Sequence, residues 1–330
     1  MTALNKKKLS IIFAFYNEAD CINSAVNEIT SCLSQLQEVD YELIFVNDCS
    51  TDNSLELILE QRKKNKKIKI INLSRRFGIM PSIMAGLRHA TGDAAVYLDI
   101  DLQDPPELIN KMVKYWINDG YDVVYTTRKK TSGNNFFLRM LSKVGYFVLA
   151  RTSNIKVDVD SGDFKLINRK VINEYIKFNE IDPFYRLIVE YVGFKKKQIF
   201  YERRKRTSGK SKFSLIKIFN NFFEISLFPF SDFPLRFAFI FGFLSFVVCM
   251  FVMLRTLFLH LGGLTSQYIS TTSIFIAILF FAGIQSLIIG FLAIYIGLIH
   301  KETKRRPLYI VDNAIGFDLD QKGEHENNYN

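Results

Sequence analysis

The sequence predicts an α/β domain built on a mostly parallel sheet, followed by a helical hairpin that spans a membrane. Two observations support this prediction. Apolar strand-like runs alternate with segments of helical length up to about residue 235, and two long uncharged runs follow them. Strands and helices that alternate at this spacing favour a mostly parallel sheet covered on both faces.

Five runs form the predicted strands: "LSIIFAF", "YELIFVND", "KIKIINLS", "AAVYLDID" and "YDVVYTT". Between them, Ala19 to Gln37 and Pro105 to Asn118 have helical length and spacing. Sheets of this kind bind ligands at the carboxyl ends of their strands. No G-x-G-x-x-G follows the first strand and no G-x-x-x-x-G-K-[ST] occurs, so the sequence lacks the usual dinucleotide and P-loop phosphate cradles.

The two uncharged runs are long enough to cross a bilayer. Phe237 to Leu254 contains no charge and covers about 27 Å as a helix. Ser273 to Ile299 has Gln285 as its one strongly polar interruption. Basic residues crowd the outer flanks, "RRKRTSGKSK" and "KETKRR", so the positive-inside rule predicts a hairpin with both flanks in the cytoplasm. Two buried helices of a soluble core are the alternative, and the length and apolarity of the runs fit it poorly.

These features divide the chain into four parts. We expect a cytosolic catalytic domain over 1–211 and an interfacial juxtamembrane segment over 212–235. A membrane hairpin follows over 236–300, with spans near 237–257 and 273–299, and then a cytosolic tail over 301–330, first basic and then polar. The basic N-terminus leads into a short apolar run that ends at Asn17, which indicates a first strand rather than a signal peptide.

The net charge and the cysteine content limit the range of possible functions. The formal net charge of +10 favours an anionic partner: nucleic acid, a phosphorylated substrate or an acidic membrane surface. Nucleic acid would not account for the spans, so we expect no nucleic-acid partner. The four cysteines, Cys21, Cys32, Cys49 and Cys249, have no metal-ligand spacing, which is typical of thiols in a reducing compartment.

The stretch "YLDIDLQDPPE" gathers Asp99, Asp101, Asp104 and Glu107 at a strand end. Asp99 and Asp101 are two residues apart, so in a continuing strand both side chains point to one face and can share a ligand. Carboxylates in this position suit a hard divalent cation that shares its shell with substrate phosphates. The alternative is an acidic surface turn that caps a helix, for which Asp104 and Glu107 are well placed.

Polar residues also follow the other strands, in "FAFYNEAD", "VNDCSTDNS" and "RRFGIMPSIMAGLRHATGD". With "YLDIDLQDPPELI", "SGDFKLINRKV" and "RRKRTSGKSKF", these segments resemble the family-2 glycosyltransferases of the GT-A fold. More narrowly, they resemble the dolichol-phosphate-mannose-synthase-like branch and its bacterial polyprenyl-phosphate glycosyltransferases with two C-terminal spans. The motifs run in the order of the family from residue 9 to about 214, and the hairpin extends the resemblance to about 300.

The resemblance implies a nucleotide-sugar site and a metal site. Its nucleotide-sugar residues are Ala14, Tyr16, Glu18, Asp48, Asp99, Asp101 and Arg206. Ala14 stands where the family more often has proline, and Asp48 could instead be an Asx-turn cap. Mg²⁺ or Mn²⁺ is expected on Asp99, Asp101 and Gln103. Arg206 lies in a basic stretch whose equivalent in relatives closes over the donor diphosphate, although attraction to anionic lipid would explain such a stretch as well.

The resemblance also implies an acceptor site. Arg128, Arg139 and Ser142 resemble the group that holds the lipid phosphate, a task for which the guanidinium fork is suited; ordinary interfacial arginines are the alternative. Asp163 in "SGDFKL" matches a family acid near the sugar and is a third catalytic candidate beside Asp99 and Asp101. Because a phosphate monoester is mostly dianionic at pH 7, we expect Asp163 to orient sugar or acceptor, with a role as proton acceptor left open.

The implied function is transfer of a sugar, expected to be glucose, from a UDP-sugar to undecaprenyl phosphate, with inversion, at the cytoplasmic face of a bacterial inner membrane. The product would be a lipid-linked monosaccharide for cell-surface glycan. GDP-mannose or another donor, a processive polysaccharide synthase and a membrane-anchored nucleotide-sugar sensor remain alternatives. The synthase is disfavoured because Trp116, the one tryptophan, lies outside a Q-x-x-R-W motif. Relatives form tetramers, so a homo-oligomer is expected.

Overall fold

The computed structural model describes residues 6–36, 38–128, 161–178, 192–202, 204, 233–262 and 271–317. The described residues fall into two compact units. The first contains the sheet and its helices, together with the segment that begins at Pro307, and the second contains two long helices.

An eight-stranded sheet forms the centre of the first unit, in the order β7-β5-β6-β4-β1-β2-β3-β8. The strands are β1 Lys7–Phe15, β2 Val39–Asn47, β3 Ile68–Leu73, β4 Ala94–Tyr97, β5 Val123–Arg128, β6 Ser161–Asn168, β7 Lys196–Tyr201 and β8 Val311–Ile315. Neighbours among β4, β1, β2 and β3 are parallel, as are β5 and β7, whereas β6 and β8 are antiparallel to their neighbours. The predicted α/β fold with a mostly parallel sheet is confirmed.

Helices cover both faces of this sheet. They are α1 Ala19–Ser34, α2 Ser54–Lys64, α3 Ile79–His89, α4 Leu108–Ile117 and α5 Arg169–Tyr175. Alternate residues of each strand point to opposite faces, so Phe13 and Phe45 stack in one core, with ring centroids 4.8 Å apart, while Ile12 packs in the other. On that second face α3 lies so close to β1 that a Cβ at Gly86 would overlap Ile12. The carboxyl ends of β1, β2, β3 and β4 therefore meet at one edge, where the sequence gathers its polar motifs.

Two predicted helices are confirmed, with shorter bounds. The first ends at Ser34 rather than Gln37, and the second begins at Leu108 rather than Pro105. Pro105 and Pro106 precede the second helix, and their carbonyl oxygens accept the N–H groups of Leu108 and Ile109 at 3.2 and 3.0 Å. Proline is favoured at a helix start, where its missing N–H would have no partner within the helix.

Strand β8 lies in the segment that we expected to be a polar tail. The stretch "VDNAIGFDLDQKGEHENNYN" is polar in composition and ends in asparagines, which predicts a tail. Edge strands, however, alternate polar and apolar residues, and Val311 and Ile315 on this strand pack against the two cores of the domain. Hydropathy alone could not have identified it.

The second unit consists of α6 Phe233–Leu261 and α7 Thr271–Thr303, so both runs expected to cross a membrane are helical. Among the described residues, one stretch is long and apolar enough to cross, Phe280–Thr303, with a mean hydropathy of 2.1; the apolar stretch of α6 is shorter, Phe239–Val252. A Cβ added at Gly242 would lie 3.8 Å from Cδ1 of Ile288, so the two helices are near neighbours. The expected interfacial segment, 212–235, lies almost wholly outside the described residues.

A buried ionic cluster ties the amino-terminal edge of the sheet together. The Glu42 side chain is 3% exposed and forms ion pairs with Lys8 at 2.9 Å and Lys69 at 2.8 Å. The Ser10 hydroxyl and the Thr91 N–H also donate to it, at 2.6 and 2.7 Å. Burial raises the pKa of Glu42, but hydrogen bonds from Lys69, Ser10, Thr91 and Lys8 outweigh burial and lower the pKa to about 2.

We expect Glu42→Gln to lower the stability of this domain by about 3 kcal/mol, because it breaks a buried ion pair and leaves two ammonium groups without their counter-ion. The same interaction gives a pH dependence. The folded pKa lies below the unfolded value of 4.5, so the stabilisation is complete above pH 4.5 and is lost as the pH falls towards 2. Thermal unfolding followed by fluorescence of Trp116, the sole tryptophan and 3% exposed, measures both effects.

Asp40→Asn is the matched control for Glu42→Gln. Asp40 pairs with Lys67 at 2.6 Å, but both side chains are about half exposed, so its loss costs less than about 1 kcal/mol. Equal destabilisation by the two variants would contradict the assignment.

Candidate active site

Backbone strain marks three strand ends at one edge of the sheet. Asn17 follows β1 with φ 55°, Cys49 follows β2 with φ 59°, and Leu102 lies in the turn after β4 with φ 47°. Residues other than glycine rarely adopt this left-handed conformation, which costs about 1–2 kcal/mol each. Such strain is concentrated at active sites and ligand clamps. Among the described residues, the one other non-glycine residue with positive φ, Arg305, lies in the second unit.

Hydrogen bonds join the loops after β1 and β2. The Asn17 Nδ2 donates to Thr51 Oγ1 at 3.0 Å, and the Thr51 N–H donates to Asn17 Oδ1 at 2.8 Å. The Glu18 N–H donates to Ser54 Oγ at 3.0 Å. These contacts hold the first turn of α1 against the first turn of α2. They therefore fix the backbone that carries the donor candidates Tyr16 and Glu18.

Asp48 ties a third loop to the same edge. Its carboxylate is buried and accepts the N–H of Phe77 at 2.7 Å and that of Gly78 at 2.9 Å. Gly78 has φ 104°, a conformation that favours glycine. Asp48 was expected to contact the nucleotide or to cap an Asx turn. Its carboxylate caps the amides of the β3–α3 loop and lies at the edge where β2 ends, while its contact with the nucleotide stays a prediction.

The same β3–α3 loop brings an arginine to the end of β1. The Arg76 guanidinium lies over the Tyr16 ring, 4.1 Å from its centroid. Ala14 lies on β1 and Tyr16 directly follows this strand, and both residues are half-buried. An aromatic ring and an arginine at this edge suit a planar, anionic ligand such as a nucleotide.

The acidic stretch forms a tight turn at the end of β4. The Tyr97 hydroxyl donates to Asp99 Oδ1 at 2.6 Å, and the Gln103 N–H donates to Asp101 Oδ1 at 3.2 Å. The Leu102 N–H donates to the Asp99 carbonyl at 3.3 Å and closes the turn. Asp99 and Asp101 thus lie in one turn, with Gln103 at its end.

The pKa of the Asp99 carboxyl group is raised at this site. Burial raises its pKa to about 6; the hydrogen bond from Tyr97 opposes this, and the carboxylates of Asp101, Asp104 and Asp163 raise the pKa further. The influence of Asp163 means that β6 brings this half-buried residue close to Asp99. Three candidates from two separate motifs, Asp99 and Asp101 from one and Asp163 from the other, therefore meet here. Strongly shifted carboxylates in such a cluster are typical of functional sites.

The residues of this turn fit a divalent cation. Within the described part of the chain, no three His, Cys, Asp or Glu side chains are grouped to hold an ion by themselves. The turn offers two carboxylates and an amide oxygen, and Mg²⁺ is commonly held by one or two carboxylates while phosphates and water complete its shell. The capping alternative is not supported, because α4 has no side-chain cap hydrogen bond at its start.

A second set of contacts supports the turn from the direction of β7. Asp104 is buried and accepts a hydrogen bond from the Tyr201 hydroxyl, and the Arg204 N–H donates to the Gln103 carbonyl at 3.0 Å. The Arg204 guanidinium pairs with Glu28 at 2.5 Å and Glu107 at 2.6 Å. The start of the basic stretch is thereby attached to the acidic turn.

The remaining predicted residues can be located only in part. Arg128 is the last residue of β5. Arg139, Ser142 and Arg206 lie outside the described residues. Sequence reasoning missed several residues that shape the site: Asn17, Thr51, Ser54, Tyr97 and Tyr201. Asn17, Thr51 and Ser54 belong to motifs quoted above. Small polar residues directly after a strand are the signal that could have identified them.

Comparison with known proteins identifies glycosyltransferases as relatives of this chain. Glycosyl transferase family 2 matches residues 10–176. An uncharacterized glycosyltransferase, YkcC, of Bacillus subtilis (strain 168) is 39% identical over 309 residues, covering 94% of each chain. A prophage bactoprenol glucosyl transferase homolog of Escherichia coli (strain K12) is 32% identical, covering 92% of this chain and 98% of that one. The bactoprenol glucosyl transferase of Shigella phage SfV is 31% identical, covering 93% and 98%.

Solved structures are more distant. A mannosyltransferase from Pyrobaculum calidifontis, in complex with GDP-Man and Mn²⁺, covers 63% of this chain and 59% of its own, at 16% identity and a TM-score of 0.46. A similarity at this level says nothing about substrates.

Proposed function

Because this chain belongs to glycosyl transferase family 2, as one of its polyprenyl-phosphate glycosyltransferases, we propose that it transfers glucose from UDP-glucose to undecaprenyl phosphate. The bactoprenol glucosyl transferases with which it shares 31–32% identity over nearly their whole length support glucose as the sugar and a polyprenyl phosphate as the acceptor. Bactoprenol is a long isoprenoid alcohol, so its phosphate stays at a membrane surface while the donor is soluble.

One observation carries the proposal: Asp99 and Asp101 lie in one strained turn, with Asp163 close enough to raise the pKa of Asp99. Neighbouring carboxylates repel one another, and a divalent cation relieves this repulsion. The same cation neutralises a nucleoside diphosphate. A cluster of this kind therefore suits a diphosphate donor and not a neutral sugar alone.

The reaction is a single inverting displacement. An oxygen of the lipid phosphate attacks the anomeric carbon, a new C–O bond forms, and the bond from that carbon to the diphosphate breaks, so that UDP leaves with the electron pair. Asp99, Asp101 and Gln103 would hold Mg²⁺ or Mn²⁺. When bound, this cation stabilises the charge that develops on the departing diphosphate. Asp163 orients the sugar or acceptor, because the phosphate dianion needs little help in losing a proton.

The donor is held by the residues at the ends of β1 and β2. In this proposal Ala14, Tyr16, Glu18 and Asp48 form the nucleotide side, and the loops that the Asn17–Thr51 hydrogen bonds join keep that side rigid. Arg206 adds positive charge near the diphosphate. Preorganised contacts of this kind lower the barrier because no ordering is required during the reaction.

The acceptor side lies towards the membrane. Arg128, Arg139 and Ser142 bind the lipid phosphate, and the helices α6 and α7 act as a two-span hairpin in the bacterial inner membrane. The basic flanks of both helices favour a cytosolic position for the catalytic domain and both termini. The long apolar stretches of these helices have exposed side chains, such as Phe239 at 74% and Leu287 at 67%, which need lipid or other helices to cover them. A homo-oligomer would supply part of this cover.

A donor panel tests the proposal. The purified full-length chain is incubated with undecaprenyl phosphate, Mg²⁺ and, in turn, UDP-glucose, UDP-N-acetylglucosamine, UDP-galactose or GDP-mannose, and the lipid products are identified by mass spectrometry. We expect glucosyl phospholipid from UDP-glucose at a rate well above that of the other donors. A preference for GDP-mannose would replace glucose by mannose in the proposal, and transfer from none of the donors would overturn it.

A further inference from the structure

Three asparagines lie side by side across the sheet at the edge that carries the candidate site. Asn47 is the last residue of β2 and is in register with Asn72 on β3. Asn72 is in register with Asn313 on β8. The row therefore runs from the strand that leads into Asp48 to the C-terminal strand that follows α7 in the chain.

Hydrogen bonds connect the three amides head to tail. The Asn47 Nδ2 donates to Asn72 Oδ1 at 3.1 Å, and the Asn72 Nδ2 donates to Asn313 Oδ1 at 2.7 Å. At the inner end of the row, Asn47 Oδ1 accepts the N–H of Ser50 at 2.9 Å. At the outer end, Asn313 Nδ2 donates to Asp312 Oδ2 at 2.9 Å. Every bond of the row runs in the same direction.

Burial makes the inner amides dependent on their partners. Asn47 is 3% exposed and Asn72 is 6% exposed, so neither amide can turn to bulk water. A buried amide that loses its partner pays the cost of desolvation. The acceptor that Asn313 offers thus determines which way the Asn72 amide faces, and Asn72 in turn determines this for Asn47. The orientation of Asn47 then leaves its Oδ1 facing Ser50.

Ser50 belongs to the β2–α2 loop, residues 48–53, which begins with Asp48 and contains the strained Cys49. Its hydroxyl accepts the N–H of Asn17 at 3.1 Å, so it also touches the loop after β1. A change in the Asn47 amide therefore acts on both loops that we assign to the nucleotide.

We infer that Asn313 is a positioning residue for the nucleotide-sugar donor, acting through Asn72 and Asn47 on the β2–α2 loop. The C-terminal strand that follows the second long helix is by this inference part of the donor site and not a tail. The role of the loop in binding the donor rests on the proposed function, whereas the ordering of the loop by Asn313 does not.

Contacts other than those of Asn313 also hold β8 and its flanking residues against the domain. The effect of Asn313 on the loop can therefore be measured without detaching the strand. Lys69 lies over the Phe317 ring at 4.9 Å, His89 packs edge-on to the same ring at 5.4 Å, and Arg88 lies over Tyr309 at 5.8 Å. Backbone pairing with β3 adds to them. A substitution at Asn313 alone therefore leaves the strand in place.

The test uses two variants whose side chains have the same number of heavy atoms and the same branching as asparagine. Asn313→Leu removes the acceptor for Asn72, and Asn313→Asp keeps an oxygen there. Hydrogen exchange of the full-length protein is followed by mass spectrometry for peptides that cover 48–54. We expect Asn313→Leu to accelerate exchange of these amides about threefold to tenfold, the range that one net hydrogen bond is worth, while Asn313→Asp stays within about twofold of wild type. Asp312→Asn, on the same strand, is the control, because it removes a charge but keeps an oxygen to which Asn313 Nδ2 can donate.

Kinetics provide the second readout. The KM for UDP-glucose rises by a similar factor in Asn313→Leu, whereas kcat and the KM for undecaprenyl phosphate stay within about twofold. Unchanged exchange over 48–54 would overturn the inference, as would an equal acceleration throughout β2, β3 and β8, which indicates a merely structural role. If the wild-type protein transfers no sugar, the proposed function fails, while the exchange measurement still decides whether Asn313 orders the loop.

Discussion

Asp101→Asn is expected to lower the rate of glucosyl transfer by about 100-fold to 1,000-fold while leaving the fold intact. The asparagine keeps an oxygen for the Gln103 N–H, which donates to Asp101 Oδ1 at 3.2 Å. It removes a negative charge from the proposed cation site, and with it the electrostatic stabilisation of the leaving diphosphate. Losing one preorganised contact of this kind costs about 10²–10³ in kcat. Steady-state transfer to undecaprenyl phosphate measures the effect.

Glu107→Gln is the control for Asp101→Asn. It removes a carboxylate from the same acidic stretch, but this side chain is 61% exposed and pairs with Arg204. We expect activity within about twofold of wild type. Raising the Mg²⁺ concentration should recover part of the activity of Asp101→Asn, since its defect is in cation affinity. Near-normal activity of Asp101→Asn at low Mg²⁺ would remove Asp101 from the cation site.

Asp163→Ala is expected to lower kcat about 100-fold, and Asp163→Asn about tenfold, with the KM for UDP-glucose nearly unchanged. Asp163 is half-buried on β6 and lies close enough to raise the pKa of Asp99. An asparagine can still accept a hydrogen bond from a sugar or position the acceptor, so a residue that orients its substrate tolerates this change better than alanine. The rate of a single turnover with bound UDP-glucose, mixed with lipid phosphate, measures the step directly.

The same two variants distinguish orientation from proton transfer. A general base cannot be replaced by an amide, so equal loss in Asp163→Asn and Asp163→Ala would identify Asp163 as the base. A base would also make the wild-type rate rise with pH through its own pKa, and both variants would lose this rise. If Asp163 orients the substrate instead, the rate of each variant depends on pH in the same way as the wild-type rate and is lower at every pH.

Much of the fold and the acidic turn follows from local sequence. Each strand from β1 to β5 is an apolar run that burial on both faces requires, so composition alone identifies it. The D-x-D turn directly follows β4, which ends at Tyr97, and its carboxylates lie where ligands bind to sheets of this kind. Asp99 and Asp101 could therefore be named as candidates from the residues and Asp163 from the family resemblance, and the structure brings them close enough to raise the pKa of Asp99.

The remaining features depend on contacts between distant residues, which a single sequence does not reveal. Asn72 and Asn313 are 241 positions apart, and nothing near either of them signals the pairing. The hydrogen bond between Tyr201 and Asp104 likewise joins β7 to the acidic turn across 97 positions. For this reason the sequence predicted a polar tail where β8 lies, and nothing in it indicated that the Asp48 carboxylate caps the β3–α3 loop. Polar residues in register across strands are visible only once the order of the strands is known.

Chelation and restoration test the central claim most directly. The purified protein, in lipid vesicles that contain undecaprenyl phosphate, is treated with EDTA and assayed with UDP-glucose before and after Mg²⁺ or Mn²⁺ is added back in excess. We expect glucosyl transfer to fall to background with EDTA and to return in full with either cation in the wild type, and to return poorly in Asp101→Asn. Undiminished transfer in the presence of EDTA would contradict the account, because the acidic turn would then have no part in holding the donor diphosphate.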